Sequence, residues 1–149
     1  MSDNHDISIL NSLIKTTLDS VKGFKEAAED ADAGRFTALF SEFATERSRV
    51  ASQLQDEVQR LGGNPEDDSS LLAAAHRAFM NLKETLTGRD DRVIIEEVER
   101  GEDYIKGKFK TALEDDDLSS MTRSLIEQAF TSVRAGHDRV SALKHGTAQ

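Results

Sequence analysis

The residues of this chain that could do chemistry are carboxylates and imidazoles. Cysteine is absent, which excludes disulfides, iron–sulfur clusters, thiolate zinc sites and Cys nucleophiles together. What remains is 28 acidic residues and four histidines, and carboxylate with imidazole is a donor set that suits Fe, Mn or Zn. The candidates for one such layer are Glu26, Glu46, Glu99, Glu102 and His137. Glu102 is the most informative, because it falls on an apolar stripe between Val98 and Ile105, where an unpaired carboxylate would be costly. Arg47 holds the corresponding position between Phe43 and Val50 in an earlier stripe. A Glu–Arg ion pair across the two segments would therefore satisfy both groups without metal. A cation bound at Glu102 is the alternative.

Other chemistries lack their parts. Ser and Asp are plentiful, but no nucleophile elbow or strained turn presents a Ser–His–Asp set. Gly62-Gly63 has neither the strand before it nor the Lys-Ser/Thr after it that a phosphate loop requires. His5, His76 and His145 read as surface or capping residues, and Tyr104 as half-buried packing. The net charge of −9, with only 19 basic residues, leaves no surplus of Lys and Arg to displace counterions from nucleic acid. It reads instead as an acidic surface that keeps the chain soluble. The opening Met1-Ser2-Asp3-Asn4-His5-Asp6 is polar and acidic, and no apolar run approaches the ~20 residues of a membrane span. A cytoplasmic protein with no membrane insertion is expected.

The elements that must position these groups are helices. Leu10, Ile14, Thr17, Val21, Phe24, Ala28 and Ala31 recur at spacings of four and three, one apolar stripe along a helix of about 26 residues that Gly34 ends. From Arg35 to Leu61 the pattern repeats through Phe36, Phe40, Phe43, Val50, Leu54 and Leu61, and Gly62-Gly63 stops it. The link at Asp32–Gly34 is so short that these two helices must be antiparallel neighbours. Asn64-Pro65-Glu66-Asp67 then reads as a helix start, followed by a shorter helix carrying Leu72, Ala75, Phe79, Leu82 and Leu86 and ending near Gly88. Another long helix follows Asp90-Asp91, with Ile95, Val98, Ile105, Phe109 and Ala112 inward, to about Glu114. The last begins after an Asp117 cap and carries Ile126, Ala129, Val133, Gly136, Val140 and Leu143. No strand pattern occurs.

Four such helices are each about 39 Å long and the 70–87 helix about 25 Å. A connection of that reach can travel most of the bundle's height, so the third long helix can start where the second did, in up-down-down-up order. The predicted fold is all-α: one bundle domain over residues 1–149, with short disordered ends at about 1–5 and 145–149.

With the order of elements in place, the chain resembles a family of small bacterial ferritin-like four-helix proteins of unassigned function, related in fold to the bacterioferritins and rubrerythrins. The segments that carry the likeness are Gly23-Phe24-Lys25-Glu26-Ala27-Ala28-Glu29, Glu46-Arg47, Leu54-Gln55-Asp56-Glu57-Val58 with Gly62-Gly63-Asn64-Pro65, Glu99-Arg100-Gly101-Glu102-Asp103, and Ala135-Gly136-His137-Asp138-Arg139-Val140. It spans about Ile9 to Leu143. It implies the ferritin-like bundle with a short crossover helix and, by analogy, a stress-related role. None of these segments is a catalytic signature, and a fold implies far less about activity than a site does.

Ferritin-like di-iron proteins take one Glu from each of two helices and a Glu-x-x-His pair from each of the other two, all in one layer. Counted from the end where the first two helices join, Glu26, the Phe40–Glu42 region, Glu99 and His137 fall at similar height, with Glu46 about one turn lower. Both paired motifs are broken: Arg49 stands where a His should follow Glu46, and Arg134 where a Glu should precede His137. Two arginines near the layer repel a divalent cation, and one imidazole remains where two are used. A ferroxidase site is not expected. A weaker or mononuclear Fe, Mn or Zn site from Glu26, Glu46, Glu99, Glu102 and His137 is the alternative. The favoured reading is a non-enzymatic bundle without cofactor, acting as a homo-oligomer such as a dimer or with a protein partner. Leu13, Leu39, Ile94, Met121, Leu125 and Phe130 lie off the primary stripes and either widen the core or form a second face. A small-molecule or lipid pocket beside the crossover helix is a third reading.

Overall fold

A computed structural model describes residues 3–30, 35–66 and 91–147, and every element among them is an α-helix: α1 (Asp3–Asp30), α2 (Arg35–Arg60), α3 (Asp91–Leu113) and α4 (Ser120–Thr147). The expected crossover helix, with Leu72, Ala75, His76, Phe79, Leu82 and Leu86, lies outside the described residues, as do Ala31 and the link before α2. The other stripes form the helices that their spacing predicts. Local chemistry sets two of the ends. At the end of α2, Gly62 takes φ of +88°, the left-handed conformation that costs glycine nothing. The Gly63 N–H then bonds the Val58 carbonyl at 2.9 Å and the Gly62 N–H bonds that of Gln59 at 3.0 Å, the double closure of a Schellman motif. The start of α4 differs from expectation. Ser119, not Asp117, is the cap, since its Oγ accepts the Thr122 N–H at 3.3 Å in the geometry an N-cap requires.

Hydrogen bonds at one end of the bundle give the direction of every helix. Asn11, near the start of α1, donates to the Asn64 carbonyl and accepts from the Glu66 N–H, both just beyond the end of α2. His5 meets Asp115, just beyond α3, and the Asp6 carboxylate accepts the N–H of Ser119, just before α4. So α1 and α4 start where α2 and α3 finish, which is the up-down-down-up order. Each helix packs against two others, α1 most extensively on α2 and α3 on α4, with α1–α3 and α2–α4 completing the ring. This is the ferritin-like arrangement.

The core has two apolar halves. Toward the end just described lie Leu10, Ile14, Leu54, Ile105, Phe109, Ile126 and Val133, all fully buried. Toward the other lie Phe24, Phe36, Phe40, Phe43, Ile95 and Val140, with the Phe24 and Phe43 rings 5.1 Å apart. Burying each such Leu, Ile or Phe contributes about 1.5–3 kcal/mol. Leu13 and Ile94 are also buried and widen the core, and Leu39, Leu125 and Phe130 pack against its edge. Met121, by contrast, is 61% exposed, and Tyr104, expected to be half-buried, is 59% exposed. No described helix is long and apolar enough to cross a membrane.

Candidate functional site

Between the two apolar halves the four helices bring together Ser20 of α1, Arg47 of α2, Glu102 of α3 and Gly136 of α4. Arg47 and Glu102 are only 1% and 2% exposed, so both charges have left water. The geometry compensates. Two parallel bonds join them, Nη1 to Oε2 at 2.8 Å and Nη2 to Oε1 at 2.7 Å, the fork-to-fork contact that only Arg makes with a carboxylate. Nη1 also donates to Ser20 Oγ at 2.8 Å, and the guanidinium lies over the Phe24 ring, 5.2 Å from its centre. Gly136 makes the room, because a Cβ there would sit 2.6 Å from Nη2 and 3.3 Å from Glu102 Oε1. Any larger residue would push the guanidinium out of its place. Thr17, one turn away and fully buried, bonds its own helix at the Leu13 carbonyl, 2.7 Å away.

The five metal candidates are distributed differently from the expected layer. Glu102 is the inward member and is held by Arg47. Glu46 and His137 adjoin the Arg47–Glu102 layer but point aside: their sequence neighbours Arg47 and Gly136 occupy the inward positions, and one residue turns a helix by about 100°. Glu46 instead takes two bonds from Arg49, at 3.1 and 2.5 Å, and one from Ser132 Oγ at 2.7 Å. The Arg49 hydrogen bonds, aided by Ser132 and opposed by partial burial, hold its carboxyl below the usual carboxylate range. His137 places Nε2 at 2.6 Å from Asp103 and Nδ1 at 3.3 Å from Asp138. Glu26 is buried and has Lys22 at 3.7 Å, one helical turn back. Glu99 is half-buried on α3, three residues before Glu102. Arg134, which stands where a ligand Glu would be, lies over the Phe130 ring at 5.8 Å.

Two clefts flank this layer. One, of about 230 Å³, opens between α1 and α3, with Phe24, Val98 and Ile105 among its lining and Gly23 and Gly101 in its walls. The other, shallower and about 1020 Å³, runs between α2 and α4 past Glu46, Ser132 and Arg139 down to Arg47 and Gly136. Ser20 and Asp103 were not singled out by type or spacing, and Gly136 was marked only as a stripe position. Neither was a separate group at the end of the bundle, His5 with Asp115 and Asp117, whose ligand atoms all lie within 4.8 Å of one another. Among the described residues this is the set of three or more acids and imidazoles that comes so close.

A family model described as "Domain of unknown function (DUF2383)" matches residues 5–115. The chain belongs to the DUF2383 family. None of the curated proteins matches it. Among solved structures, this DUF2383 protein is similar to the bacterioferritin of Desulfovibrio desulfuricans, with a TM-score of 0.74 and 19% identity over 96% of this chain and 80% of the other. That likeness is one of fold, and the structure in question is described by its di-iron site. The residues that meet inside this bundle do not fit such a centre. A di-iron layer draws carboxylates and imidazoles inward from all four helices. Here the four positions are Ser, Arg, Glu and Gly, with the single carboxylate saturated by a guanidinium that cannot lose its proton and that repels metal ions at close range.

Proposed function

We propose that this protein works as a ferritin-like bundle with no interior metal pair, through association with a second copy of itself or a protein partner rather than through di-iron chemistry. The observation that supports the reading most is the Arg47–Glu102 pair, closed by Ser20 and Gly136, in a polar layer between the two apolar halves of the core. The pair takes the place of chemistry there and joins α2 to α3 across the bundle. The association half rests on the outside of the molecule. An apolar cleft with Phe24, Val98 and Ile105 opens between α1 and α3, and Tyr104, on that cleft's lining, is 59% exposed. Exposed apolar and aromatic surface of this kind marks association sites. One domain over residues 1–149, a cytoplasmic location and a stress-related role belong to the same proposal, the last by resemblance to the family.

The test has two parts. Light scattering over a range of concentrations should show a mass above that of one chain, falling when Tyr104→Glu is introduced. A strict monomer at every concentration, with no partner recovered on the α1–α3 face, would contradict the association half. Aerobic addition of Fe(II) should give no oxidation above the buffer rate. Rapid oxidation that Glu102→Gln abolishes would contradict the other half.

A further inference from the structure

We propose that the end of the bundle where α1 starts carries a divalent-cation site made by His5, Asp115 and Asp117. It is distinct from the interior layer and does not depend on how the protein associates. One imidazole nitrogen and two carboxylate oxygens lie within 4.8 Å of one another. They come from places 110 positions apart, the first turns of α1 and the turn between α3 and α4. Ligand atoms sharing a metal at about 2.0–2.2 Å are themselves about 3–3.5 Å apart. His5 Nε2 and Asp115 Oδ2 are already at 2.8 Å, so a cation replaces their shared proton with little movement. The Asp117 carboxylate then closes the third side.

The framework holding these atoms is built. Asp115 Oδ1 accepts the backbone N–H of Asp117 at 2.8 Å, which fixes the carboxylate and keeps its second oxygen toward His5. That backbone bond, opposed by desolvation and aided by His5, holds the Asp115 carboxyl below its ordinary range. The His5 and Asp115 side chains are 38% and 22% exposed and Asp117 is exposed, which leaves the remaining coordination positions open to water. Among the described residues, the charges beside the site include Asp6, Glu114, Asp116 and Arg123. Asp6 is occupied by the Ser119 N–H, Glu114 and Asp116 are exposed, and the Arg123 guanidinium stays beside the site, bonded to the backbone carbonyls of Leu113 and Asp115. One imidazole with two carboxylates and no thiolate suits Zn(II) or Mn(II). Binding there ties the start of α1 to the α3–α4 turn and holds that end of the bundle shut.

The experiment is calorimetric titration of the full chain, stripped with chelator and carrying no histidine tag, with Zn(II) alone and then Mn(II) alone. Thermal melting is followed alongside. Saturable binding of one equivalent is expected, with a rise in Tm. His5→Ala should abolish both, and Asp117→Asn should weaken the affinity tenfold or more while leaving the metal-free Tm unchanged. Glu102→Gln should leave the binding intact. Should His5→Ala not fold, Asp117→Asn decides, since that side chain is exposed. No binding of either ion, or binding that both variants retain, would overturn the proposal.

Discussion

Replacing Arg47 by Met should be among the most damaging single changes in this protein, and the damage should be undone by a second change. The guanidinium is 1% exposed and supplies both bonds to Glu102, itself 2% exposed. Met fills much of the same volume and keeps the contact with Phe24, so the loss is mostly electrostatic. It leaves a carboxylate inside the core with no cation beside it, an arrangement that costs about 3–5 kcal/mol. For a chain of this size each kcal/mol lowers Tm by about 2–4 °C, so Arg47→Met should melt about 6–20 °C below the parent. Adding Glu102→Leu removes the stranded charge. The double variant should return to within about 1 kcal/mol of the parent or exceed it, because replacing a buried ion pair by apolar side chains is often neutral or stabilising. Urea denaturation of the four proteins gives the coupling directly. A loss below about 1 kcal/mol for Arg47→Met, or a double variant weaker than the single, would refute the view that the pair is a desolvated unit.

Gly136→Ala should cost about 1–3 kcal/mol by overpacking, since the new Cβ would lie 2.6 Å from Arg47 Nη2. Gly101→Ala, where a Cβ meets nothing within 4 Å, should instead gain up to about 1 kcal/mol of helix propensity. Paired thermal melts read both. Gly62→Ala should lose about 1 kcal/mol by urea denaturation, because the residue sits at φ +88° where alanine is strained. The Glu46 carboxyl lies below its ordinary value of 4.5 in the folded state. Its contribution is therefore complete above about that pH and lost as pH falls through the lower folded value. Glu46→Gln should flatten the acid side of the stability profile and, with the group partly exposed, cost less than about 1 kcal/mol at neutral pH.

The stripes carried most of the fold, because a spacing of three and four is a direct imprint of which face is buried. The same imprint made the central pair legible: Glu102 and Arg47 interrupt apolar stripes at positions that must face inward, and a buried charge demands its opposite. Glu46 and His137 mislead for a related reason. Height along a helix follows from counting, but facing follows from rotation, and one residue's error moves a side chain a quarter turn away. Gly136 was read as a stripe position, yet its role is set by the guanidinium that fills the space beside it, a fact about a neighbour with no local signature. The meeting of His5 with Asp115 is invisible for the same reason, being made only when the helices close. Ser119 displaced Asp117 as the cap because either residue type can cap, and the backbone of the turn chooses between them.

The most direct measurement is the iron content and Mössbauer spectrum of the chain reconstituted with Fe(II) and exposed to oxygen, compared between the parent, Glu102→Gln and His5→Ala. An interior without a metal pair predicts no coupled irons in any of the three, with whatever iron binds being lost in His5→Ala and retained in Glu102→Gln. Two coupled irons per chain that disappear with Glu102→Gln and persist in His5→Ala would contradict it.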